Sequence, residues 1–172
     1  MSADYIKLKV AWNALRGNRD LWLHNEYQTA ITDQFYKTVS SIKNEANIMS
    51  KSAIDFDGHT KTEKDHFFPP QTISRLIMDH GQETYLEDFI LFEELMTMVT
   101  KTITVTKEEN AILRRQTKNV GGLLYLQQPL EEKYDDAGIV LIGAKGEIEF
   151  PFSLPEDLSQ CQEKYIKPNQ FR

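Results

Sequence analysis

The sequence predicts an α+β protein, predominantly helical, with a small β-β-α unit and a C-terminal β-hairpin. Apolar residues recur every three or four positions through most of the stretch from Tyr5 to Val99, the spacing of buried helix faces. Thr102 to Thr106 is an unbroken run of β-branched residues with helix-start residues directly after it. Farther on, Gly143-Ala144-Lys145-Gly146 separates two short apolar stretches, as a hairpin requires. The chain has 172 residues, 40% of them apolar, with 20 Lys and Arg against 26 Asp and Glu and a net charge of −6. A domain of about 150 residues buries roughly two-thirds of its chain surface, so one core can form without covalent staples.

The elements follow in order. Ile6, Leu8, Val10, Ala11, Trp12 and Leu15 fit one wide buried face of a helix from Tyr5 to Leu15 that ends near Gly17. Leu23, Tyr27, Ile31, Phe35, Val39, Ile42, Ala46 and Met49 give a continuous helical stripe from about Leu21 to Ser50, and that stripe calls for a partner, either the first helix or a second subunit. Asp55 to Lys64 has no apolar period and contains Gly58, so it reads as an exposed connection whose Asp55, Asp57 and His59 are solvated. Pro69-Pro70 then opens a short helix from Gln71 to His80, with Ile73, Leu76 and Ile77 on one face and Gly81 as its C′ residue.

Leu86, Phe89, Ile90, Leu95, Met96 and Val99 mark a further helix from about Glu83 to Thr100. Thr106 and Glu109 have the spacing of a capping box, which starts a helix at Lys107 that runs to about Lys118, with Gly121-Gly122 beyond. Gly138 to Ile142 and Glu147 to Phe150 form the predicted hairpin, and a short helix is expected around Glu156 to Tyr165. The chain thus divides into an N-terminal helical region (1–54), a β-β-α core with a helical insert (55–135) and a hairpin with a tail (136–172), together one compact domain.

Composition narrows the function. Cys161 is the single cysteine, so it cannot pair within the chain, and a zinc-thiolate site of two or more cysteines is excluded. A reducing cytoplasm is the expected compartment. With no apolar run of about 18 residues and no basic-then-apolar start, neither a membrane span nor a signal peptide is expected. Net acidity argues against a surface that grips nucleic acid throughout, while leaving room for a local basic groove.

The residues that carry chemistry are Asp65-His66 and the unit from Ile103 to Asn110. An Asp-His step sets a carboxylate for a hard divalent cation beside an imidazole that titrates near neutral pH. Asn110, in the first turn of the helix after Thr106, offers a neutral oxygen to the same cation across the β-β-α unit. One carboxylate, one amide oxygen and open water positions suit Mg²⁺ acting on phosphate esters.

These residues resemble the HNH, or ββα-metal (His-Me finger), endonucleases, a group that includes homing-type nucleases of phages and mobile elements. Asp65-His66-Phe67-Phe68-Pro69 is similar to the family's first half, a strand ending in Asp-His with a nearby proline. Ile103-Thr104-Val105-Thr106-Lys107-Glu108-Glu109-Asn110 is similar to its second half, a strand followed by a helix bearing Asn or His. The resemblance spans about residues 60 to 120. It implies an enzyme that hydrolyses phosphodiester bonds in DNA, with His66 as general base and Asp65 and Asn110 as ligands of one Mg²⁺ or Mn²⁺.

Asn110 to Asn119 also matches the second half, in a register that makes Asn119 the ligand. The strand-to-helix junction at Thr106 favours Asn110, and residues nine apart on one helix face opposite ways. The cysteines that bind zinc in many members and the family's final His are absent. Lys107, Arg114, Arg115 and Lys118 gather positive charge on the same helix, either for a phosphate backbone or as ordinary i,i+4 charge pairs. The alternative to an enzyme is a non-catalytic, acidic, helical interaction module that forms a homodimer through the 21–50 helix.

Overall fold

The computed structural model describes residues 2–55, 61–120, 130–143 and 158. The fold is a mostly helical α+β arrangement with a four-stranded mixed sheet. Helix α1 (Ala3–Gly17) begins where the Ser2 hydroxyl accepts a hydrogen bond from the Tyr5 amide at 3.1 Å. Leu8, Ala11, Trp12 and Leu15 are buried, whereas Ile6 and Val10 stay about half exposed. The buried stripe is therefore narrower than the apolar one.

The helix expected from Leu21 to Ser50 is instead a set of separate elements. After the short α2 (Arg19–Trp22), helix α3 (Asn25–Val39) stops at Ser40, and strand β1 (Asn44–Ser50) follows. Ala46 and Met49 fit the helical spacing, but Ile48 and Ser50 are the residues that bury, at the period of two that a strand imposes. Asn47 takes a positive φ of 53°, within a register shift between Glu45 and Met49, so the segment cannot continue a helix. Ile31, Phe35 and Val39 of α3 lie in the chain's own hydrophobic core. The long stripe on which the expected dimer rests is thus not present as one helix.

A second correction concerns the polar stretch before Asp65. After α4 (Lys51–Ile54), capped by Ser50, residues Thr62–His66 form strand β2, antiparallel to β3 (Lys101–Thr106) in the register Thr62 with Thr106 to His66 with Thr102. Residues 56–60, with Asp57, Gly58 and His59, lie outside the described residues. Phe67 and Phe68 are buried, and Pro69 and Pro70 lead into α5 (Pro70–His80), where proline at the first helical position removes no intrahelical hydrogen bond. The single helix expected from Glu83 to Thr100 is split into α6 (Gln82–Tyr85) and α7 (Phe89–Val99), because the Asp88 carboxylate caps α7 by accepting from the Ile90 amide at 2.7 Å.

Strand β3 runs between β2 and β1 and is buried on both faces, which is why its sequence is β-branched throughout. The capping box forms as expected: the Glu109 amide donates to the Thr106 hydroxyl at 3.2 Å and the Thr106 amide to the Glu109 carboxylate at 2.8 Å. It opens α8 (Lys107–Val120). Helix α9 (Leu130–Asp135) and strand β4 (Leu141–Gly143) complete the description, with β4 antiparallel to β1 and a strand order β2-β3-β1-β4. The expected second hairpin strand, 147–150, lies outside the described residues, as does the helix expected at 156–165 apart from Leu158. Among the described residues no helix is long and apolar enough to cross a membrane.

Candidate functional site

An edge strand made only of Thr, Glu, Lys, Asp and His forms because each charged side chain finds a partner. Strand alternation sends Lys64 and His66 to one face of the sheet and Glu63 and Asp65 to the other. The Lys64 ammonium donates to Glu45 of β1 and to the Thr104 hydroxyl of β3, both at 2.7 Å. Glu63 accepts from the Asn110 side-chain amide and lies 3.7 Å from the Arg114 guanidinium, both on α8. Asp65 accepts from Lys133 and Tyr134 on α9. The unit β2, β3 and α8 is therefore a strand-strand-helix arrangement bound together by polar contacts.

His66 ends β2 with its Nε2 3.1 Å from the Ile42 carbonyl. A carbonyl only accepts, so Nε2 carries the proton and Nδ1 is the ring's acceptor. Burial holds the imidazole below its ordinary pKa of 6.5; the Ile42 carbonyl and Asp65 oppose that shift, and Lys43 and Lys133 add to it. A neutral ring with a fixed donor, and an acceptor nitrogen that meets no hydrogen-bond partner among the described residues, is the state a general base needs near pH 7.

Asp65, His66 and Asn110 all line one cavity of about 500 Å³. Lys43, Lys64, Arg114 and Lys133 line it too, and Asp65 is the one acid among the described lining residues. Three of these cations are already paired, Lys64 with Glu45, Arg114 with Glu63 and Lys133 with Asp65, so Lys43 is the lining cation left to offer uncompensated charge to an anion among the described residues.

The donor set does not present a ready divalent site. The Asp65 Oδ2 atom already accepts from the Lys133 ammonium at 2.7 Å and the Tyr134 hydroxyl at 2.8 Å. Asn110 turns its amide nitrogen to Glu63, not to Asp65. Among the described residues no three His, Cys, Asp or Glu side chains are grouped to hold a metal ion.

The structure thus brings Asp65, His66, Asn110 and Arg114 to one cavity. Asn110 is buried and faces the sheet, whereas the side chains of Asn119 and Lys118 lie outside the described ones. Lys107 and Arg115 are exposed and do not line the cavity; the Arg115 Nε donates to the Ala111 carbonyl of its own helix at 3.2 Å. No family model, curated protein or solved structure matches the chain.

Lys43, Lys64, Lys133 and Tyr134 are the site residues that sequence reasoning missed. A signal for α9 exists in Gly138, which sits at a φ of 69° and closes the helix through Ile139 N to Tyr134 O and Gly138 N to Asp135 O bonds, each 2.8 Å. Nothing in the sequence pairs Lys133 with Asp65.

Proposed function

We propose that the chain is an endonuclease that hydrolyses phosphodiester bonds in DNA, with His66 as its general base. The observation that carries this reading is a half-buried imidazole with a lowered pKa, fixed through Nε2–H on the Ile42 carbonyl, in a cavity lined by Lys43, Lys64 and Arg114. In the proposed step His66 Nδ1 takes a proton from water. The water oxygen forms a bond to phosphorus, the bond from phosphorus to the 3′-oxygen breaks, and that oxygen leaves with a proton from solvent. Lys43 and Arg114 hold the non-bridging phosphate oxygens. The strand-strand-helix order of β2, β3 and α8 supports the likeness to the HNH endonucleases.

That likeness assigns Asp65 and Asn110 to one Mg²⁺ or Mn²⁺. The proposed step draws on the chain's own residues, because Lys133 and Tyr134 both bond to Asp65 Oδ2. The test incubates wild type and His66→Ala with labelled duplex and single-stranded DNA in Mg²⁺, in Mn²⁺ and in EDTA. Cleavage by wild type that falls by about 10²-fold or more in the variant is the expected result, the size of a general-base contribution. Cleavage that is equal in the two proteins, or absent from wild type in all three solutions, overturns the reading.

A further inference from the structure

Asp65 is a carboxylate whose side chain is only 16% exposed, and a charge so far removed from water needs a matched counter-charge. Lys133 supplies it from α9 and is itself only 3% exposed. The ammonium has three N–H donors, and among the described residues it meets three oxygens: Asp65 Oδ2 at 2.7 Å, the His66 carbonyl at 3.1 Å and the Tyr134 hydroxyl at 3.4 Å. The Tyr134 hydroxyl in turn donates to Asp65, and the Tyr134 ring lies 4.9 Å from the ammonium and edge-on to Phe67. A carboxylate, a backbone carbonyl and a hydroxyl are the oxygen donors that a hard cation collects. Here a lysine has collected them.

We infer that Lys133 is the resident cation of this site and excludes a divalent ion from Asp65. The ammonium holds both the Asp65 side chain and the His66 backbone, so it fixes the end of β2 from which the imidazole projects. Lys133 is thus a positioning residue. What it positions His66 for rests on the endonuclease reading; the exclusion of the divalent ion does not.

The test titrates Mn²⁺, followed by electron paramagnetic resonance, into the full chain as wild type, Asp65→Asn, Lys133→Met and the double variant. The expected result is no Asp65-dependent Mn²⁺ binding in wild type. Lys133→Met gains a site about tenfold or more tighter, and adding Asp65→Asn removes it. Mn²⁺ binding by wild type that Asp65→Asn abolishes overturns the inference, and so does a folded Lys133→Met protein that binds Mn²⁺ no better than wild type. Should Lys133→Met fail to fold, wild type against Asp65→Asn decides alone. DNA cleavage that needs Mn²⁺ and Asp65 would sink this inference and leave the endonuclease reading standing. A wild type that cleaves nothing would sink that reading and leave the Mn²⁺ titration to decide the role of Lys133.

Discussion

The neutral state of His66 has a cost in acid. Burial lowers its pKa below 6.5, Lys43 and Lys133 lower it further, and the Ile42 carbonyl and Asp65 pull the other way. Between the lowered value and 6.5 the unfolded chain binds a proton that the native chain does not. The contribution of His66 to stability is therefore complete above 6.5 and is lost as pH falls through that window. Urea midpoints measured over about pH 5 to 8 should drop toward acid in wild type, and the drop should be shallower in His66→Gln. At Gly138 the backbone alone decides: a Cβ there meets nothing within 4 Å, but φ is 69°. Gly138→Ala is expected to lose about 1 kcal/mol of stability, read from the same urea curves, because L-residues are strained in that region.

Legibility at this scale was uneven. The Asp65-His66 step shows its chemistry in two adjacent letters. Lys133 contacts Asp65 across 68 positions, and a lone lysine in an acidic segment carries no mark of burial.

Among the elements, the junction of β3 and α8 was legible because capping is local chemistry, written within four residues. Its carboxylate does more than cap. Burial raises the Glu109 pKa, but hydrogen bonds from the Ser50 hydroxyl at 2.5 Å and the Thr106 amide at 2.8 Å outweigh it and leave the group below its ordinary value. Glu109 therefore ties β1 to α8 as well. Thr106→Ala is expected to cost about 1 kcal/mol, measured by urea denaturation at neutral pH.

Strands β1 and β2 were not legible for the opposite reason. Ile42, Ala46 and Met49 share the spacing of a helix by coincidence, and what makes 44–50 a strand is pairing with β3, more than fifty positions away in sequence. In β2 the residues are polar because the strand lies at the sheet edge and trades its charges with α8, α9 and neighbouring strands. Tertiary partners overrode local preference in both cases.

For the whole molecule, sign and shape separate. The net charge of −6 disfavours a general hold on nucleic acid, yet the cavity that holds His66 is lined by basic side chains from the loop after α3, from β2, from α8 and from α9. On the endonuclease reading, DNA affinity should be local and salt-dependent. Lys43→Ala and Arg114→Ala should each weaken binding of a labelled duplex and flatten log Kd against log salt by about 0.9 for each phosphate that the variant leaves unneutralised. Lys107→Ala, an exposed site outside the cavity, should change the slope less.

The most direct measurement is the single-turnover rate of nicking of a supercoiled plasmid by wild type and by His66→Gln, the latter with and without added imidazole. The account predicts a rate at least about 10²-fold lower in the variant, partly restored by imidazole in free solution. A variant that nicks as fast as wild type would contradict it.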